Sequence, residues 1–151
     1  MTIYLSFAQR IYDHPLFKYE YGMDLQDEAI VNAPHMLLKL SNDRCQMTIS
    51  IWDYQFDEDV SIWDDVFVER YNAMDDGSEK VSIKKELAYL KTGKRRCLKM
   101  LSNLPDGVKV CDFAFIKDGH LILFAVAEPG SYVSGSKTPY ADKLLSSLSL
   151  K

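Results

Sequence analysis

The 151 residues fit one domain of ordinary size, and at 47% apolar and 26% charged they have the composition of a soluble globular protein. A net charge of -4 gives no electrostatic footprint for nucleic acid, and no run approaches the roughly 18 apolar residues that a membrane-spanning helix needs. Met1 to Arg10 lacks a basic start and Ile3 to Ala8 is too short for a signal-peptide core, so a cytoplasmic location is expected. Cys45, Cys97 and Cys111 are odd in number and form no Cys-x-x-Cys pair, which reads as buried thiols in a reducing compartment.

Residues 1–16 carry mixed signals. Ile3, Leu5 and Phe7 alternate as a strand would, and His14-Pro15 interrupts them. Phe17, Tyr19 and Tyr21 alternate again and stop at Gly22, a short strand. Ser41-Asn42-Asp43 separates Met36–Leu40 from Cys45–Trp52 and reads as a hairpin turn. In the second arm Cys45, Met47, Ile49 and Ile51 face one way and Gln46, Thr48 and Ser50 the other.

The period then changes. Ser61 followed by Asp64 resembles a capping box, and Trp63, Val66, Phe67, Tyr71 and Met74 recur at helical spacing until Asp76-Gly77. The spacing predicts a helix over 61–75. Alternation returns near 81–91, turns at Thr92-Gly93, and continues over 94–102.

Val108 to Ala127 is the most informative stretch. Asp118-Gly119 is a strong signal for a two-residue type I′ hairpin loop. That loop sets Lys117 opposite His120, Phe115 opposite Ile122, Phe113 opposite Phe124 and Cys111 opposite Val126. Val110, Ala114 and Ile116 against Leu121, Leu123 and Ala125 make the other face apolar too, so both faces need cover. Thr138 as cap, Pro139 at the first helical position, and Tyr140, Leu144 and Leu148 every four residues predict a second helix over 139–149. The expected fold is therefore α+β, a single-domain α/β/α sandwich over 1–151 whose mostly antiparallel sheet carries one helix on each face. Trp63, Phe67, Phe113, Leu123, Phe124, Leu144 and Leu148 form its expected core.

The second half resembles the PsbP-like superfamily. Leu90-Lys91-Thr92-Gly93 is similar to the strand and turn before that family's long hairpin, Val108–Ala127 to the hairpin itself, and Tyr140–Leu150 to its closing helix with a terminal Ser-Leu. The likeness spans roughly residues 36–150, while Phe17–Gly22 lacks the Leu-Pro-x-Gly-Trp-like turn of the bacterial members. The resemblance implies an α/β/α sandwich acting as a non-catalytic binding module without cofactor.

Chemistry-bearing constellations are absent from the sequence. In the hairpin register His120 lies about 20 Å along the strand from the position facing Cys111, beyond hydrogen-bond reach. His14, His35 and His120 are scattered, and no calcium loop, phosphate loop or Gly-x-Ser-x-Gly elbow occurs, so no metal site is expected. Asp112 is the odd residue, a carboxylate in mid-strand that calls for a structural partner or marks a site.

Charge distribution is the strongest functional hint. Residues 53–79 hold ten acidic side chains against Arg70 alone, and 80–99 hold eight basic ones against Glu86 alone. Such a bipolar surface suits a charged protein partner, because opposed fields raise on-rate and specificity. The candidate partner-binding residues are Asp57, Glu58, Asp59, Asp64 and Asp65, which suit a basic partner, with Lys94, Arg95 and Arg96. The expected function is a non-catalytic protein-binding module, chaperone-like or adaptor-like. The alternatives are an immunity-type inhibitor of a toxin and a thiol-dependent enzyme built on Cys45 or Cys97.

Overall fold

Asp118 and Gly119 make the turn that their sequence asks for. In the computed structural model, which describes residues 9–52, 81–90, 96–132 and 138–151, both have positive φ, 51° and 78°. Type I′ needs that conformation at both central positions, and its twist matches that of the strands it joins. The flanking strands pair as anticipated, from Lys117 with His120 to Val108 with Pro129.

The described strands are β1 (Gln9–Asp13), β2 (Phe17–Gly22), β3 (Gln26–Asp27), β4 (Met36–Ser41), β5 (Gln46–Trp52), β6 (Val81–Tyr89), β7 (Arg96–Asn103), β8 (Val108–Lys117), β9 (His120–Pro129) and β10 (Leu148–Leu150). Among the described residues one helix, α1, runs from Pro139 to Ser147. The larger sheet has the order β3-β4-β5-β9-β8-β7-β6 and the smaller β1-β2-β10, with every pairing antiparallel.

Strand register sorts the larger sheet into two faces. On the first, Leu38, Ile49, Phe124 and Phe113 lie in one row across β4, β5, β9 and β8. Phe124 is its centre: Phe17 and Tyr19 of β2 meet its ring edge-on at 5.6 and 5.5 Å between centroids, and Phe115 lies at 5.8 Å. The Tyr19 hydroxyl donates to the Met47 sulfur at 2.9 Å, so this buried phenol keeps a partner. On the second face Leu98, Ala114 and Leu123 form a buried row, as a hairpin apolar on both sides requires.

A sandwich with one helix on each face is not what forms. The predicted helix over 61–75, with Trp63 and Phe67, lies outside the described residues. The first face is covered largely by the three-stranded sheet, with α1 beside it. Two causes act together. The Phe17-Tyr19-Tyr21 alternation gives β2 one wholly aromatic side, which needs a flat apolar surface to lie on. The closing helix also ends sooner than 149, because Leu148 turns extended (φ -109°, ψ 129°) and Leu148–Leu150 pairs with Phe17–Tyr19. The terminal Ser149-Leu150 thus belongs to a strand. Phe113, Leu123, Phe124, Leu144 and Leu148 are all buried, as the periodicity required.

Candidate functional site

The partner-binding residues proposed from charge fall mostly outside the described residues: Asp57, Glu58, Asp59, Asp64, Asp65, Lys94 and Arg95 all do. Arg96 opens β7, paired with Tyr89.

The three thiols, by contrast, are placed. Cys45, Cys97 and Cys111 are free and buried. Burial pushes each thiol up to about 12, helped at Cys45 by the Glu128 and Asp24 carboxylates and opposed at Cys97 and Cys111 by Lys99. A thiol that titrates there supplies almost no thiolate at neutral pH, and the thiolate is the nucleophile. Cys111 pairs with Val126, well along β9 from His120, so the two side chains stay apart as the register demands. Among the described residues no group of three or more His, Cys, Asp or Glu converges as metal ligands would. Asp112 is buried at 2% exposure on the second face, between Met100 and Ala125.

The most elaborate polar arrangement lies where the β4–β5 turn, the β2–β3 loop and the start of α1 meet. Two adjoining depressions of about 430 and 420 Å³ share Arg44, Glu128 and Pro129 as walls. Between them the Tyr140 hydroxyl donates to Asp24 Oδ2 at 2.9 Å and accepts from Asn42 Nδ2 at 2.8 Å. Burial raises the Tyr140 pKa, and Asp24 adds to that rise against the hydrogen bond from Asn42. The phenol therefore stays a neutral tie between three segments.

Thr138 does not cap the helix as the sequence suggests. Its hydroxyl donates instead to Asp142 Oδ1 at 2.9 Å. The capping acceptor comes from a distant strand: Glu128 of β9 accepts from the backbone N–H of Tyr140 at 3.0 Å and of Ala141 at 3.4 Å. A buried carboxylate at this end of a helix meets both the unpaired N–H groups and the positive end of the helix dipole. Directly across the ladder Glu128 faces Lys109, which is wholly buried, its ammonium 5.8 Å from the Tyr132 ring centre.

Sequence reasoning passed over Glu128 and Lys109, although the hairpin register that aligned Phe113 with Phe124 also sets these two opposite each other. Chemically the arrangement is a clamp. It fastens α1 to the larger sheet and leaves Arg44 and Lys143 at the rim of the depressions.

The two-sheet architecture, with its long central hairpin and closing helix, is a PsbP-like fold. The chain is similar to the solution structure of cyanobacterial PsbP (CyanoP) from Synechocystis sp. PCC 6803, with a TM-score of 0.71 over 95% of this chain and 93% of that one. The two sequences are 12% identical, so the likeness is one of fold. The sequence matches no family model and no curated protein.

Proposed function

We propose that the chain is a non-catalytic protein-binding module of the cytoplasm, chaperone-like or adaptor-like, that docks a charged partner through its own segregated charges. The observation that carries this reading is the division of ten acidic residues in 53–79 from eight basic ones in 80–99. Opposed fields of that kind steer association and penalise wrong partners. The burial of all three thiols supports binding over thiol catalysis, and their unpaired state suits a reducing compartment. The clamp at Glu128 and Tyr140 supports it as well, since its polar groups are engaged in holding segments together.

The test uses the chain as bait against extract from its source cell, in its natural form and as the triple reversal Asp57→Lys, Glu58→Lys, Asp59→Lys. Wild type is expected to capture a basic partner that the reversal loses while keeping its fold. Raising salt from about 50 to about 500 mM, which shortens the Debye length from over 10 Å to a few ångströms, should mimic the loss. A partner held equally by both baits and at both salts would overturn docking through the acidic stretch.

A further inference from the structure

The far edge of the larger sheet is β6. It runs for nine residues without proline, longer than the usual strand of about five or six, and among the described residues no strand pairs with its outer side. On the second face Leu87, Leu98, Ala114 and Leu123 form a single row across four strands. The last three are buried, whereas Leu87 is 47% exposed and Tyr89, two positions on, 57%. Burial on this face therefore ends between Leu98 of β7 and Leu87 of β6, and an aliphatic and an aromatic side chain stand open on an edge that no described strand pairs. On the first face Lys84 projects into solvent and pairs with Glu86 at 3.1 Å.

An open edge of this length is a template for a further strand, and natural sheets protect such edges with lysine. Within β6 itself Lys84 and Lys85 stand against Glu86 alone. Two copies of β6 brought edge to edge would each carry that excess of positive charge, which opposes a second copy. The same charge attracts an acidic strand.

We propose that β6 is a docking edge for an extended acidic segment of a partner protein. The segment would add to the sheet beyond β6 by main-chain hydrogen bonds, with carboxylates on the Lys84 side and apolar side chains against Leu87 and Tyr89. Backbone pairing would supply affinity and the alternating side chains specificity, as in other strand-addition complexes. This rests on the reading of the chain as a protein-binding module, and it concerns residues 81–89 rather than 53–79.

The test titrates the full chain with a capped ten-residue peptide of alternating Glu and Val while following backbone amide exchange. Two control peptides accompany it: one with Lys in place of Glu, and one with N-methyl groups on every second peptide bond. The Glu-Val peptide is expected to slow exchange at alternate amides within 81–89 and to bind at least about tenfold more tightly than either control, since one loses the charge and the other the hydrogen bonds. Lys84→Glu should weaken it by about fivefold, the scale of exposed charge contacts, and Leu87→Asp should weaken it independently. Absence of protection in 81–89, or equal binding by the N-methylated peptide, would overturn the proposal. So would equal binding by the Lys-Val peptide, or formation of a β6-paired dimer that excludes the peptide. The triple reversal at Asp57, Glu58 and Asp59 bears only on the acidic stretch, and protection of β6 bears only on this edge.

Discussion

The β8–β9 hairpin pairs neighbours in the chain, whereas the three-stranded sheet pairs its two ends, with Phe17 facing Leu150. The hairpin is buried on both faces along most of its length. The small sheet is buried on one side only, since Phe17, Tyr19 and Tyr21 point inward while Lys18 and Glu20 face water. The first is a core made by local instruction. The second is a cover made by long-range pairing, whose contacts must offset the entropy of closing a long loop. Their meeting point is Phe124, and variants around it separate the two.

The largest effect is expected at that ring. Phe124→Ala should cost about 3–5 kcal/mol, as for other buried aromatic residues cut to alanine, because it removes contacts to β2 and β8 together. Urea unfolding measures it. A loss under about 1 kcal/mol, within the range of surface changes, would mean that the small sheet does not rest on the hairpin as described.

That contrast also explains what could be read in advance. Asp118-Gly119 and the alternation around it specify a register, because turn type and pleat leave one solution. The closing segment offers no such decision. Leu144 and Leu148 suit a helix at spacing four, Leu148 and Leu150 suit a strand at spacing two, and only the presence of β2 decides between them. Thr138-Pro139 likewise announced a helix start correctly, while its capping acceptor, Glu128, came from a strand that local pattern does not consult. As for the docking surface, charge counting locates a stretch of chain, whereas the exposed row end at Leu87 becomes visible only with the register of four strands in hand.

A smaller effect is expected where the two regions are fastened. Glu128→Ala should cost about 1–2 kcal/mol for the lost cap, because two helix N–H groups are left without their acceptor. Its sharper signature is spatial. Amide exchange in α1 and β10 should accelerate well before exchange in β8 and β9, since the clamp joins the cover to the core. Uniform acceleration across both sheets would show that they open as one unit. Glu128→Gln keeps one carbonyl acceptor and should recover part of the protection.

The smallest effect belongs to the cover alone. His14 lies in the turn between β1 and β2, its ring stacked on Phe17 at 4.9 Å between centroids, and its Nδ1 accepts from the backbone N–H of Leu16 at 3.1 Å. An accepting Nδ1 belongs to the neutral ring, in the tautomer protonated only on Nε2. Burial lowers the His14 pKa below the ordinary 6.5, and the charges of Lys151 and His120 push the same way. The unfolded chain therefore takes up this proton first as pH falls. The contribution to stability is complete above about pH 6.5 and fades as pH drops through the folded value, so wild type should lose stability between pH 7.5 and pH 5. Asp13, held low by its hydrogen bond to Lys151, keeps its charge across that window and titrates beneath it. The informative quantity is the difference in urea midpoint between wild type and His14→Gln at the two pH values, which cancels groups common to both. That difference should shrink toward pH 5, with exchange in β1, β2 and β10 rising while β8 and β9 stay protected. Parallel pH profiles for the two proteins would place the neutral ring outside the interactions that hold the small sheet, and would leave Phe17 as the contact that seats it.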